Sequence, residues 1–136
     1  MENNGWYFQN VEDNDRSDSS NRGARCSGNS WFGWKTPTAQ GVASMAAVFT
    51  GSGSAKLQVE NCWIIGQVII YLDNKTIATI KSGTKNETVS FEFSAGSILN
   101  ITTRHGIVKL NSLEMTCRGK TSNFPLQIKC FIYRML

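Results

Sequence analysis

From Gly41 to Cys117 the apolar residues fall into runs of four to ten, and Gly, Asn, Asp or Ser interrupts them every eight to twelve positions. That rhythm suits short strands joined by tight turns, and no stretch of ten or more residues carries the 3.6-residue period and end signals of a helix. The chain is therefore expected to be all-β, an antiparallel β-sandwich or jelly roll of seven to nine short strands. A sheet with one apolar face has to bury it against a second layer. With 136 residues there is material for a single domain, 1–136.

Individual segments sharpen this reading. Val68-Ile69-Ile70-Tyr71-Leu72 is almost continuously apolar and β-branched, the pattern of a central strand covered on both faces. Asp73-Asn74 supplies a tight turn into Thr76–Ile80. Thr88–Ser94 alternates, with Val89, Phe91 and Phe93 inward and Ser90, Glu92 and Ser94 outward. After the Ala95-Gly96 turn, Ile98, Leu99 and Ile101 make another strand, which Arg104-His105-Gly106 closes. From Ile107 the inward set begins as Val108 and Leu110 and resumes as Leu113, Met115 and Cys117. That slip of one residue calls for a bulge near Asn111-Ser112. Val42–Thr50 is rich in alanine, but Gly41 and Gly51-Ser52-Gly53 bound it so closely that a strand paired with Lys56–Cys62 is expected. Residues 10–30 are polar with little to bury, a long loop between Trp6-Tyr7-Phe8 and Trp31-Phe32-Gly33-Trp34. Residues 119–136 read as an edge strand or an extension.

Charge and cysteines bear on partners and compartment. The net charge is +4, yet residues 1–18 hold five carboxylates against Arg16, so +8 is spread over the remainder. No run of five like charges marks a nucleic-acid patch, and no nucleic-acid partner is expected. A mildly basic surface favours anionic glycans, sulphated or sialylated, through long-range attraction. No apolar run approaches the ~20 residues that span a bilayer, so no membrane insertion is expected. Cys26, Cys62, Cys117 and Cys130 are separated by 36, 55 and 13 residues, which fits no zinc-ligand spacing. Disulfides fit better. Of the three connectivities, Cys62–Cys117 with Cys26–Cys130 is expected, because Cys62 and Cys117 each end an apolar run. The sequons at Asn74, Asn86 and Asn100 point the same way, to an extracellular, secreted glycoprotein.

For chemistry the chain offers little. The single histidine, His105, lies in a turn without a paired nucleophile. No two carboxylates are singled out for glycoside hydrolysis, and the sequence has no GxGxxG, Walker, GxSxG or HExxH motif. No catalytic residue is assigned and an enzyme is not expected. No cofactor is expected either, with calcium the one exception: Asp13, Asp15 and Asp18 place oxygen ligands in one acidic loop, without the Gly and Glu of an EF-hand. Trp31 and Trp34 flank Gly33 beside the polar loop, and together with Trp6, Asn29 and Arg25 they suit the alternating apolar and hydroxyl faces of a sugar. Trp63, next to Cys62, is expected to pack on a disulfide.

The runs Gly51-Ser52-Gly53-Ser54-Ala55-Lys56-Leu57, Asn61-Cys62-Trp63, Gly66-Gln67-Val68, Tyr71-Leu72-Asp73-Asn74-Lys75 and Phe91–Leu99, with Gly106–Cys117, resemble secreted β-sandwich modules of the carbohydrate-binding type over about residues 40–117. The resemblance implies a jelly-roll-like binding module and carries no ligand residue across. The expectation is a non-catalytic, lectin-like extracellular module binding a glycan or glycoprotein. The alternative is a structural or cell-adhesion domain that meets a protein partner through a sheet face or edge.

Overall fold

The computed structural model describes residues 6–9, 32–36 and 41–117. Among these there are nine strands and no helix: β1 (Trp6–Gln9), β2 (Phe32–Lys35), β3 (Val42–Val48), β4 (Gly53–Asn61), β5 (Gln67–Leu72), β6 (Lys75–Lys81), β7 (Glu87–Phe93), β8 (Ile98–Arg104) and β9 (Ile107–Cys117). They form two antiparallel sheets, one ordered β1-β3-β8-β5-β6 and the other β2-β9-β4-β7. This is the all-β two-sheet architecture expected from the turn spacing.

Alternation places the core between the sheets. Ala43, Met45 and Ala47 on β3, Leu57 and Val59 on β4, Val68 and Ile70 on β5, and Leu99 and Ile101 on β8 are buried. Phe49, just past β3, stacks on Phe93 with ring centroids 3.9 Å apart and meets Phe91 edge-on at 6.1 Å. Its N–H donates to the Ser97 carbonyl at 2.9 Å, and its carbonyl accepts from the Gly96 N–H at 2.8 Å. These bonds tie the ring to the β7–β8 turn. On β7, Val89 and Phe93 are buried and Ser90 and Glu92 exposed, as the alternation requires. Phe91 is only half-buried, because β7 is an edge strand.

Three local expectations are met. Asp73 and Asn74 turn the β5–β6 hairpin with φ of 52° and 70°, left-handed values that these two residue types tolerate. In the β4–β9 ladder Gln58 faces Ser112 and Val59 faces Leu110, which leaves Asn111 as the bulged residue. Trp63 is partly buried against Cys62 and Ile107, and Cys62 is disulfide-bonded.

Three others are corrected. β3 is a strand, but it pairs with β1 and β8 and not with β4; Gly51-Ser52 carries the chain across to the other sheet. β5 is not covered on both faces, since Ile69 and Tyr71 are half-exposed on the outside. Among the described residues no third layer covers them, and branched and aromatic residues serve there for their fit to a pleated surface. Finally, Cys62 and Cys117 are both disulfide-bonded but not to each other. Cys117 lies opposite Gly53 and Cys62 follows Asn61, so the ladder holds them about 30 Å apart, where a disulfide needs Cα atoms within ~7 Å. Cys26 and Cys130, like the 10–30 loop and the 119–136 tail, lie outside the described residues.

Candidate functional site

The period of two that buries Ala55, Leu57 and Val59 on β4 turns Ser54, Lys56 and Gln58 outward. The register then supplies their neighbours. Ser54 lies between Glu92 on β7 and Thr116 on β9, Lys56 between Ser90 and Glu114, and Gln58 between Thr88 and Ser112. The outcome is three polar rows across one sheet face. The Ser112 hydroxyl donates to the Gln58 side-chain oxygen at 3.3 Å, fixing the third row. Over the first two rows lies a depression of about 420 Å³, lined by Ser54, Lys56, Ser90, Glu92, Glu114 and Thr116.

A second depression of about 220 Å³ shares Glu92 and continues to Ser52, Asp73, Ser94 and Ser97. Its wall is well ordered by hydrogen bonds. The Asp73 carboxylate accepts from the Ser97 hydroxyl at 3.1 Å and from the Ile98 N–H at 2.9 Å, and the Ser97 oxygen in turn accepts from the Ser94 N–H at 3.0 Å. Glu92 is thus the residue common to both hollows, at the junction of a continuous polar surface.

This arrangement can donate to and accept from a polyhydroxylated ligand at several points. Carboxylates accept two hydroxyl protons each, the ammonium donates up to three, and the serine and threonine hydroxyls do either. Two carboxylates border the first depression, one from each neighbouring strand. Glu92 and Glu114 sit on strands either side of β4 and two residues out of line, with Cα atoms about 12 Å apart and Lys56 between them.

The residues expected from sequence are distributed differently. Trp6 lies on β1 opposite Ala47 and Trp34 on β2 opposite Val108, in different sheets. Their side chains, and Arg25, Asn29 and Trp31 altogether, lie outside the described residues, as do Asp13, Asp15 and Asp18. Among the described residues no group of three or more His, Cys, Asp or Glu side chains is close enough to hold a metal. Of the sequons, Asn74 is exposed on the β5–β6 turn and Asn86 is exposed ahead of β7, its side-chain oxygen accepting from Asn111 at 3.1 Å. Asn100 is half-buried in the middle of β8, and its oxygen accepts from the Thr102 hydroxyl at 2.6 Å. Glu92 was legible as an outward residue; Lys56 and Glu114 acquire meaning only once β9, β4 and β7 are known to be neighbours.

No protein-family model matches the sequence, and no curated protein matches it significantly. Among solved structures the chain is similar to a carbohydrate-binding module, CBM36, in complex with calcium and xylotriose, at 8% identity and a TM-score of 0.32, over 55% of this chain and 72% of that one. It is similar to a family two carbohydrate esterase from Clostridium thermocellum in complex with cellohexaose, at 12% identity and a TM-score of 0.41, over 85% of this chain but only 34% of the esterase. It is also similar to the CBM36-1 domain of a multidomain xylanase from the hindgut metagenome of Trinervitermes trinervoides, at 11% identity and a TM-score of 0.34, over 85% of this chain and 99% of that domain. At TM-scores below 0.5 these likenesses assign neither architecture nor ligand, and both rest on this chain's own residues.

Proposed function

We propose that the protein is a non-catalytic, extracellular glycan-binding module whose ligand lies across the outer face of the four-stranded sheet. The observation that carries this reading is the pair of rows Thr116–Ser54–Glu92 and Glu114–Lys56–Ser90 around one depression. Strands ~4.8 Å apart repeat such groups at about the spacing of substituents on a sugar ring. Two glutamates against one lysine make the hollow locally acidic, which favours a neutral or amino sugar over the sulphated or sialylated glycans that the whole-chain charge suggested. Trp31 and Trp34, read from the sequence as a sugar platform, stay part of the proposal as candidates for a further contact. The extracellular location rests on the cysteines and on the exposed sequons Asn74 and Asn86; calcium remains assigned to the acidic loop at Asp13, Asp15 and Asp18.

The test is calorimetric titration with neutral, amino and sulphated oligosaccharides, with and without calcium, on the wild type and on Glu92→Ala, Lys56→Ala, Trp31→Ala and Trp34→Ala. Saturable binding of a neutral or amino sugar that weakens roughly tenfold in Glu92→Ala, the loss of one charge-assisted contact, is the expected result. Full binding by folded Glu92→Ala and Lys56→Ala would move the site elsewhere. Loss confined to the tryptophan variants would place it on the aromatic side.

A further inference from the structure

Ile64 and Ile65 are 66% and 56% exposed on the loop between β4 and β5, a connection where polar turn residues are the rule. Their base is braced from several directions. The buried Asn61 amide donates to the Ile80 carbonyl at 3.0 Å, the Cys62 N–H donates to the Ile107 carbonyl at 2.8 Å, and Trp63 packs on Cys62 and Ile107. At Gly66, φ is +92° and a Cβ would lie 2.2 Å from the His105 carbonyl oxygen, so the loop is pressed against the β8–β9 turn. Two isoleucines therefore project from a fixed root at one end of the sandwich.

The rim of that root is basic. Gln67, the first residue after the loop, lies opposite Lys81 on one side and Arg104 on the other, and both are exposed. Exposed Lys85 sits in the 82–86 connection, whose Gly83 N–H and Thr84 carbonyl are bonded to the Asn61 backbone. Of the described carboxylates, Asp73, Glu92 and Glu114 belong to the opposite end, Glu60 is buried, and only Glu87, opposite Val59, is exposed nearby.

We infer that the β4–β5 loop is a shallow docking point for an anionic phospholipid surface, with Ile64 and Ile65 entering the boundary between headgroups and acyl chains while Lys81, Arg104 and Lys85 meet lipid phosphates. An apolar pair inside a ring of cations is complementary to that boundary, where hydrocarbon and anionic groups lie within one residue's length of each other. A second copy fits less well, because a two-fold contact through the loop sets Lys81 and Arg104 against their own kind. Spanning is not involved: the expectation of no membrane insertion concerns a spanning segment, and no helix of the described residues is long and apolar enough to cross a membrane. The inference is independent of the glycan face, which lies toward the other end of the strands.

Co-sedimentation with vesicles of phosphatidylcholine alone, and of phosphatidylcholine with phosphatidylserine, tests it at low and high salt. Wild-type protein should bind the phosphatidylserine vesicles in preference and lose that binding as salt screens the cations. The double variant Ile64→Ser/Ile65→Ser should bind roughly tenfold or more weakly. The double variant Lys81→Gln/Arg104→Gln should lose about fivefold per cation. Brominated lipid should quench tryptophan emission through Trp63 in the wild type and not in the serine variant. All four side chains are exposed, so thermal midpoints should stay unchanged; if the serine variant fails to fold, the glutamine variant and the salt series still decide. Equal binding to both vesicle types, or full binding by a folded serine variant, would overturn the proposal. So would a wild-type dimer that ignores vesicles and is dissolved by Ile64→Ser/Ile65→Ser.

Discussion

Asn61 has no exposed surface, yet it serves three segments at once. Its side-chain amide donates to the Ile80 carbonyl at 3.0 Å and reaches the Gly66 carbonyl at 3.5 Å, and its side-chain oxygen receives the Trp63 N–H at 3.5 Å. The end of β4, the 62–66 loop and the end of β6 are thereby joined through one buried polar group. Replacing Asn61 with Ala removes the donor and leaves the Ile80 carbonyl buried without it, a loss of about 1–3 kcal/mol in unfolding free energy measured by denaturant titration. Asn61→Asp should be no better, because the aspartate keeps the acceptor and lacks the N–H. Asp73 makes the same point from the other end. Its sequence marks it as a turn residue, and its bonds to Ser97 and Ile98 cross to a strand 25 positions away.

At the scale of the element, β9 is the most informative strand. It pairs with β4 along nearly its whole length, and its inward residues keep facing the core only because Asn111 absorbs one position between Leu110 and Ser112. Deleting Asn111 would turn one half of the strand over, moving either Val108 and Leu110 or Leu113 and Met115 off the core face. Loss of cooperative unfolding is expected, whereas Asn111→Ala, which keeps the backbone count, should cost less than about 1 kcal/mol. The bulge was legible because a slip in a period of two is a local signal. The partner of β3 was not: Val42–Val48 reads as a strand, but nothing within those seven residues distinguishes β8 from β4 as its neighbour.

Across the whole molecule the two ends of the described sandwich differ in chemistry. The β5–β6 hairpin end and the adjoining sheet face mix Asp73, Glu92 and Glu114 with Lys56 and Lys75, while the other end sets Ile64 and Ile65 among Lys81, Lys85 and Arg104, with Glu87 the one exposed carboxylate there among the described residues. Cys62 and Cys117 are also divided between these ends, so a non-reducing peptide map should recover each linked to Cys26 or Cys130; a Cys62–Cys117 peptide would contradict the β4–β9 register. The sequence by itself determined that the chain is all-β, where most of its strands begin and turn, where β9 bulges, and that Glu92 points outward, since each of these depends on residues within about ten positions. Tertiary structure alone decided that β3 crosses to the other sheet, that Cys62 and Cys117 are held apart, and that Lys56, Glu92 and Glu114 share one face. Those depend on the order of strands in each sheet, which burial of the whole apolar set selects and no local period encodes.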